Sequence, residues 1–315
     1  MKMEPLITVI TASYNSKYIY DSINSVLSQT YEKIEYIVTD DGTNGFNSKK
    51  IELYIKENKK RNITSFHVIH HASNVGTVRN LNYAIETSHG KYIFFLSADD
   101  IYADSDTLSR WVNDMEKKGA YLSVSSLIKC DENLFPLHSV FPSLYQKFLL
   151  TSGNNKSIFS ELAKGNFILG CCTAYSRMCF EKYGFFDESY YLIEDYPYIL
   201  SYVRKNGRID YFDRPCIKYR CGGVSSSARF NAIYEKDSDL IIQNEILPYV
   251  RFKIWYRLIY GQWKRNQKIR FWDKIASAKL PFKIYLYITN PIQLCMSLNQ
   301  RIRKDYTLGI RGGME

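Results

Sequence analysis

The stretch "KYIFFLSADD", residues 91–100, is the clearest fold signal in the chain. Its run of large apolar residues is typical of a strand that is buried on both faces of a parallel sheet. The run stops at two adjacent carboxylates, Asp99 and Asp100. Neighbouring carboxylates repel each other, so this pair favours a cation or a hydroxyl-rich ligand between them. The structural alternative is that each aspartate only caps the next helix or turn.

Strands and helices are predicted to alternate on the N-terminal side of this stretch. Strands are predicted over 6–15, 34–42, 65–71 and 91–97, and helices over 16–30, 49–60 and 77–88. Asn15 or Ser16 is expected to cap the first helix. This order indicates an α/β fold with a Rossmann-like, mostly parallel sheet flanked by helices.

Polar residues stand where three of the predicted strands end. They are Ser13 to Asn15, the pair Asp40 and Asp41, and the pair Asp99 and Asp100. Open α/β sheets bind ligands beyond the carboxyl ends of their strands, so these groups are expected to converge. Carboxylates on short loops suit Mg²⁺ or Mn²⁺ bridging to substrate phosphates, which indicates a bound nucleotide diphosphate.

The composition is that of a folded, globular protein. Of 315 residues, 45% are hydrophobic and 23% are charged. The seven cysteines include no C-x-x-C pair, and the N-terminal residues do not resemble a signal peptide. The most apolar stretch, 280–298, is interrupted by Lys283, Asn290 and Pro291. A cytoplasmic protein without a spanning helix is therefore expected.

The C-terminal part of the chain is basic and aromatic. Residues 251–315 contain 14 Lys/Arg and 3 Asp/Glu. On a helical wheel Phe252, Trp255, Tyr256, Ile259 and Trp263 share one face, with Lys253, Arg257 and Lys264 roughly opposite. This pattern indicates a helix that lies on an anionic membrane surface. The alternative is a helix packed on the rest of the chain or on a dimer partner. Nucleic acid is not expected as a partner, because no recognised module accompanies the charge.

Three segments in order resemble inverting GT-A glycosyltransferases of family 2, of the kind that build bacterial cell-surface polysaccharides. They are "TVITASYNSKYIYDSINSVLSQTYEKIEYIVTDDGT" (8–43), "NVGTVRNLNYAIETSHGKYIFFLSADD" (74–100) and "FEKYGFFDESYYLIEDYPYILSYVRKNGRIDYFDRP" (180–215). The resemblance covers residues 5–226. It implies a metal-dependent enzyme that transfers a sugar from a nucleotide-diphosphate sugar, a UDP-sugar being favoured. The implied acceptor is a saccharide or a lipid-linked saccharide.

The resemblance also implies roles for individual residues. In the implied nucleotide-sugar site, Tyr14 lies against the nucleotide base and Ser13 belongs to the same site. Asp41 hydrogen-bonds the base, with Asp40 beside it, and Arg79 lies near the nucleotide. Asp99 contacts the ribose, and Asp100 binds Mn²⁺ or Mg²⁺. The alternative for Arg79 is a surface or helix-packing arginine. The implied catalytic base is Asp195, and Glu194 would orient the acceptor or brace the loop. Without the resemblance, two acids at a helix start are most simply partners of the helix dipole.

The sequence departs from the family pattern at two places. Ser97 or Ala98 stands where relatives often have a third acid before the metal-binding aspartate. Cys221 and Gly222-Gly223 stand where many relatives have a histidine that binds the metal. The five histidines form no metal-spaced cluster and are expected to be surface or packing residues. Cys171 and Cys172 are expected to pack behind the catalytic pair.

The predicted division of the chain follows from the extent of the resemblance. Residues 1–228 are expected to form the catalytic domain, with a nucleotide-sugar half at about 1–105 and an acceptor half at about 106–228. Residues 229–315 are expected to form a helical extension. Within it, residues 251–304 are expected to contact the membrane. The protein is therefore expected to attach peripherally to the inner face of the cell membrane. The sequence is also compatible with an oligomer. The alternative functions are a nucleotide-sugar-forming nucleotidyltransferase and a degenerate nucleotide-sugar-binding subunit. A nucleotidyltransferase would be expected to have a glycine-rich, basic loop after the first strand, and "TASYNSKY" is not such a loop.

Overall fold

The computed structural model describes residues 4–221 and 232–250. The strands are β1 Ile7–Ser13, β2 Ile34–Asp40, β3 Ile63–His70, β4 Tyr92–Ser97, β5 Ile101–Tyr102, β6 Leu122–Cys130, β7 Pro136–Phe141, β8 Thr173–Ser176 and β9 Ile209–Arg220. The helices are α1 Ile19–Leu27, α2 Ser48–Asn58, α3 Thr77–Glu86, α4 Thr107–Lys118, α5 Leu144–Ser152, α6 Asn155–Leu162, α7 Arg177–Tyr183, α8 Asp195–Arg204 and α9 Ala232–Ile241. A single 3₁₀ turn, Gly170–Cys172, precedes β8, and a π turn, Ile242–Ile246, follows α9.

The strands form one sheet in the order β3-β2-β1-β4-β8-β6-β9-β5, with β7 paired to β6. The four strands β3, β2, β1 and β4 are mutually parallel. β8 joins β4 to β6 in antiparallel pairing, and β6 then pairs with β9 in parallel. The expected mostly parallel α/β sheet is confirmed, with an antiparallel strand at its centre.

Helices cover both faces of the sheet. Successive residues of a strand point to opposite faces, so each strand contributes side chains to two cores. In β1, Ile10 packs in a core that includes residues of α3, α5, α6 and α8, whereas Val9 packs in a second core with α1, α2 and α4. Residues 7–11 of β1 are all buried, and Ala12 is half-buried. A strand covered on both faces is buried at successive positions, which is why its sequence shows little alternation between apolar and charged residues.

The predicted elements are present, with their ends shifted by at most three residues. The predicted cap of the first helix is wrong. α1 begins after Tyr18, and no side chain caps it. Asn15 instead adopts a left-handed backbone conformation, with φ of 54°. The Ser16 hydroxyl accepts a hydrogen bond from Tyr18 N and donates one to Asp99.

The described residues after position 231 pack onto the α8 side of the sheet. Ile241 at the end of α9 and Ile246 in the π turn are fully buried in the same core as α8. The domain division at residue 228 stays a prediction, and this segment is the first part of the predicted extension. The membrane contact predicted for 251–304 lies outside the described residues. Within residues 4–221 and 232–250, no helix combines the length and apolarity needed to cross a bilayer.

A buried carboxylate ties β1, β2 and the loop before β4 together. Glu35 on β2 accepts hydrogen bonds from Thr8 Oγ1 at 2.6 Å and from His89 N at 2.7 Å. Its second oxygen lies 2.8 Å from His89 Nδ1. Burial raises the pKa of Glu35, but the hydrogen bonds from Thr8 and His89 outweigh burial and lower the pKa below the ordinary 4.5.

We expect Glu35→Gln to lower the free energy of unfolding at pH 7 by about 1–3 kcal/mol, since buried donors lose a charged acceptor. The native pKa of Glu35 is lowered, so its stabilisation is present above pH 4.5 and is lost as the pH falls through the native pKa. Urea unfolding across this pH range should therefore show a weaker pH dependence in the variant. Glu32→Gln, at an exposed position, is the control. An unchanged pH dependence in Glu35→Gln would contradict this role.

Candidate functional site

The site is built at the edge of the sheet where the parallel strands end. β1 and β2 pair with Ser13 opposite Asp40, and β2 and β3 pair with Asp40 opposite His70. β4 lies on the other side of β1, with Ser97 opposite Ala12. The expected convergence of the strand ends is therefore confirmed. His70 is an addition that the sequence did not indicate.

Asp40 is fully buried beneath this edge. Its Oδ2 accepts hydrogen bonds from Thr43 N at 2.8 Å and from His70 Nδ1 at 2.9 Å. Within the described part of the chain, the buried Oδ1 has no hydrogen-bond partner. A buried acceptor without a donor is costly, so this atom is suited to an N–H group of a ligand.

Asp41 holds the loop that leads into α3. Its Oδ1 accepts from Val75 N at 2.7 Å, and its Oδ2 accepts from Gly76 N at 3.2 Å. Burial raises the pKa of Asp41, while these two N–H groups act in the opposite direction. Gly76 has φ of 92°, and a Cβ there would lie 2.6 Å from Tyr191 O, so the position requires glycine.

Tyr191 packs against Gly76, in the loop that Asp41 holds. Burial raises the pKa of Tyr191, the charges of Asp41 and Tyr14 raise it further, and Arg79 lowers it. Tyr14 is 42% exposed and is therefore open to a ligand. Arg79 lies 3.3 Å from Glu188, and both side chains are at least half exposed.

The Asp99–Asp100 pair is braced by Arg220, at the end of β9. Arg220 N donates to Asp100 Oδ1 at 2.9 Å, and its Nε donates to the Asp99 carbonyl at 2.9 Å. The buried guanidinium also bonds Asp21 at 2.8 Å and lies 3.6 Å from the centre of the Tyr18 ring. Asp99 Oδ1 accepts from Ser16 Oγ at 2.5 Å. The sequence did not indicate Arg220, which fixes the loop that carries both acids.

Asp100 is the more buried acid of the pair, with 1% of its surface exposed. Burial and the charge of Asp99 raise the pKa of Asp100 to about 7, although the bond from Arg220 N opposes the shift. A desolvated carboxylate gains most from a nearby cation, because little water screens the attraction.

Glu194 and Asp195 stand at the start of α8. Asp195 Oδ2 accepts from Gly170 N at 2.8 Å, and its Oδ1 accepts from Asn166 Nδ2 at 3.3 Å. Burial raises the pKa of both acids, and the charge of Asp195 adds to the shift of Glu194. The bonds from Gly170, Asn166 and the Tyr196 N–H act against the shift at Asp195. Asp195 is therefore the acid of the pair that ionises more readily.

The 3₁₀ turn that contains Cys171 packs against β4, whose end is followed by Asp99 and Asp100, and the N–H of its first residue, Gly170, binds Asp195. Contact with the Cys172 thiol and burial raise the pKa of the Cys171 thiol well above its ordinary range. The charges of Asp100 and Asp195 both raise it further. Cys171 and Cys172 were expected to pack behind the catalytic pair, and the structure has Cys172 buried and Cys171 half-buried beside Gly170.

The loop before α8 is fastened to α3 by Asn82. Its Nδ2 donates to Phe186 O at 2.9 Å and to Glu188 Oε1 at 3.2 Å, and its Oδ1 accepts from Phe186 N at 3.1 Å. This contact explains why the Gly-Phe-Phe-Asp-Glu segment faces Arg79. The sequence pattern did not indicate this role of Asn82.

A divalent metal fits the donor set at Asp100. Mg²⁺ and Mn²⁺ take hard oxygen ligands and commonly use one or two carboxylates together with substrate phosphates. Asp100 supplies a buried carboxylate, with Asp99 adjacent to it. In the described ranges, no group of three or more His, Cys, Asp or Glu side chains is arranged to hold a metal by itself. The protein ligands alone would thus leave most coordination positions to phosphate and water.

The sheet order and the strand-edge acids define a glycosyltransferase of the GT-A fold. The chain belongs to glycosyl transferase family 2, whose sequence profile matches residues 8–184. An uncharacterised glycosyltransferase of Haemophilus influenzae is 26% identical over 254 residues, which are 78% of this chain and 75% of the relative. "Putative teichuronic acid biosynthesis glycosyltransferase TuaG" of Bacillus subtilis is 29% identical over 171 residues, which are 54% of this chain and 61% of TuaG.

A solved structure shares the fold. S. aureus TarS 1-349, crystallised in complex with UDP-GlcNAc, matches with a TM-score of 0.58 at 16% identity, over 88% of this chain and 78% of that one. The chain spans less than two thirds of TuaG and 47% of full-length TarS. At this identity, the structural match establishes the fold and not the substrate.

We expect Gly170→Ala to displace Glu194 without unfolding the chain. A Cβ at residue 170 would lie 2.8 Å from Glu194 Oε1, the tip of a flexible side chain, and 3.7 Å from Asp195 Oδ2. Glycosyltransferase activity should fall by about 10-fold if this pair of acids acts in the transfer, because small displacements of reacting groups are costly. The thermal midpoint should change by only about 3 °C. Activity is followed as UDP release from a panel of UDP-sugars.

Gly165→Ala is the matched control for this substitution. Among the described residues, nothing lies within 4 Å of a Cβ built at that position. Equal activity in the two variants would contradict a role for the Glu194 position.

Proposed function

We propose that the chain is a metal-dependent, inverting glycosyltransferase that moves one sugar from a UDP-sugar to a saccharide or lipid-linked saccharide. The position of the 3₁₀ turn supports this most strongly. The turn packs against β4, whose end is followed by Asp99 and Asp100, and its Gly170 N–H binds Asp195, so donor and base would meet at one place. The UDP-GlcNAc complex of TarS supports a UDP-sugar donor. The name of TuaG supports a place in cell-surface polysaccharide synthesis.

The nucleotide would lie along the ends of β1, β2 and β4. The exposed Tyr14 ring offers a surface on which the base can stack, with Ser13 beside it. Asp41 would accept a hydrogen bond from the base, and the unpartnered Oδ1 of Asp40 is a second acceptor at this end. Asp99 would bond the ribose. Arg79 would exchange its exposed pairing with Glu188 for the nucleotide.

Asp100 would hold Mn²⁺ or Mg²⁺ against the two phosphates. When bound, the metal neutralises charge on the departing diphosphate. The chain's own contribution is to keep Asp100 buried and aimed by Arg220 N. Asp99 is kept in place by Ser16.

Asp195 would act as the base. Its carboxylate takes the proton of the acceptor hydroxyl while that oxygen bonds to the anomeric carbon. The bond from the anomeric carbon to the diphosphate oxygen breaks on the opposite face, so the product has inverted anomeric configuration. Glu194, which retains its proton more strongly, is suited to hydrogen-bond the acceptor. The bonds from Gly170 N and Asn166 fix the Asp195 carboxylate in one orientation.

The location and assembly of the enzyme stay as the sequence predicts them. A basic, aromatic segment over 251–304 would bring the enzyme to an anionic membrane, where a lipid-linked acceptor is found. Peripheral attachment at the inner face of the cell membrane is part of this proposal, and an oligomer is compatible with it.

Asp100→Asn should abolish the metal-dependent part of nucleotide binding. A neutral amide lacks the charge that holds a hard cation, so Mn²⁺ should no longer strengthen UDP binding. Calorimetry of UDP with Mn²⁺ or with EDTA measures this difference. Asp106→Asn is the control, because that acid is 56% exposed and lies beyond the strand-end loop. Equal Mn²⁺ enhancement in wild type and Asp100→Asn would refute the metal assignment.

Asp195→Asn should separate chemistry from binding. UDP affinity should stay within about 2-fold, while turnover falls by about 10²-fold or more, as for loss of a general base. Turnover is followed as UDP release from the best UDP-sugar in the panel. Equal losses in binding and turnover would make Asp195 a structural residue.

The pH profile of the wild type provides a second check on the same residue. The base must be ionised, and burial raises its pKa above the ordinary 3.8, although the N–H groups of Gly170 and Tyr196 and the Asn166 side chain oppose the shift. Activity should therefore be lost at a higher pH on acidification than an ordinary aspartate would give. Glu194→Gln should keep this acidic limb, since Glu194 holds its proton while Asp195 ionises. An acidic limb at the ordinary aspartate pKa would contradict the assignment.

A further inference from the structure

Asp237 on α9 makes an unusual contact with the backbone just before the catalytic pair. Its Oδ2 accepts hydrogen bonds from Tyr191 N at 2.9 Å, Leu192 N at 2.6 Å and Ile193 N at 3.2 Å. These are the three residues that precede Glu194 in the sequence. The Asp237 side chain is buried, with 2% of its surface exposed.

The chemistry of this contact is that of an anion in a ring of N–H groups. Three successive amides that point at one oxygen fix the backbone conformation of the turn, residues 191–193. A buried charge is costly unless it is hydrogen-bonded, and here three donors compensate it. The same three N–H groups would otherwise need partners of their own.

The opposite side of the turn is fastened to the nucleotide side of the site. Tyr191 Oη donates to Asn74 Oδ1 at 2.6 Å, and Tyr191 O accepts from Val78 N at 3.3 Å. Asn74 directly precedes Val75 and Gly76, whose N–H groups bind Asp41. The turn therefore stands between the Asp41 loop and α9, and it leads directly into Glu194 and Asp195.

A separate contact attaches the same C-terminal segment to the far end of α8. Arg204 Nη1 donates to Glu245 O at 2.8 Å, and its Nη2 bonds the Glu245 carboxylate. The Arg204 guanidinium also lies 4.1 Å from the centre of the Tyr249 ring. Docking of the segment and control of the turn thus depend on different residues, which allows an experiment to separate them.

We infer that Asp237 is a positioning residue, which sets Glu194 and Asp195 relative to the donor through the backbone of 191–193. This role rests on the proposed function, in which Asp195 is the base. It assigns the segment after residue 231 a part in sugar transfer, although that segment lies outside the 8–184 region matched by the family profile.

Three variants of the full chain test this role: Asp237→Ala, Asp237→Asn and Glu245→Gln. Asp237→Ala should lower turnover by about 10- to 100-fold, as expected for a displaced base, with UDP affinity within about 3-fold. Asp237→Asn keeps an acceptor oxygen on a side chain of the same length, so it should recover much of the activity. Glu245→Gln weakens docking at the other end of α8 and should leave turnover within about 2-fold. Turnover is measured as UDP release from the best UDP-sugar, and affinity by calorimetry with UDP and Mn²⁺.

Amide hydrogen exchange provides a readout that does not depend on activity. Exchange at the amides of residues 191–193 should accelerate by about 10-fold or more in Asp237→Ala and stay unchanged in Glu245→Gln. Unchanged exchange in Asp237→Ala would overturn the inference, as would equal losses of turnover in Asp237→Ala and Glu245→Gln. Parallel losses of UDP affinity and turnover in Asp237→Ala would also overturn it. Failure of the proposed function is distinct, since the wild type would then release no UDP from any donor in the panel.

Discussion

Parallel pairing of β2, β1 and β4 is the constraint on which the site depends. Because these strands run in the same direction in adjacent positions, their carboxyl ends meet at one edge. Residues at or just beyond the strand ends are thus brought together, although Asp40 and Asp99 are far apart in sequence. The apolar strands fix the edge, and the acids at their ends determine its chemistry.

Burial gives these acids their properties, and the backbone keeps burial tolerable. Asp41 is held by the N–H groups of Val75 and Gly76, Asp100 by that of Arg220, and Asp195 by that of Gly170. Burial raises the pKa of each of the three acids. In the proposed function, Asp100 binds the cation, Asp41 accepts a hydrogen bond from the nucleotide base, and Asp195 takes the proton of the acceptor. The same pattern recurs at Asp237, where three N–H groups surround one oxygen and the result is a fixed turn.

Much of the fold and part of the site could be predicted from sequence, because the signals were local. A strand buried on both faces is a continuous apolar run, and Asp99 and Asp100 stand directly after one. Arg220 was missed because its bond to Asp99 spans 121 positions and no local pattern marks it. Asp237 looks like an ordinary acid on a polar helix, and its target lies some 45 residues earlier. The wrong cap at Ser16 has the same origin, since its hydroxyl contacts Asp99, 83 positions away.

The most direct test of this account is a crystal structure of the chain with UDP-GlcNAc and Mn²⁺. The account predicts the nucleotide base against Tyr14 and Asp41, and the metal held by Asp100 together with the diphosphate. The anomeric carbon should face Asp195 on the side opposite the diphosphate. A nucleotide bound away from the ends of β1, β2 and β4, or a sugar turned away from Asp195, would contradict it.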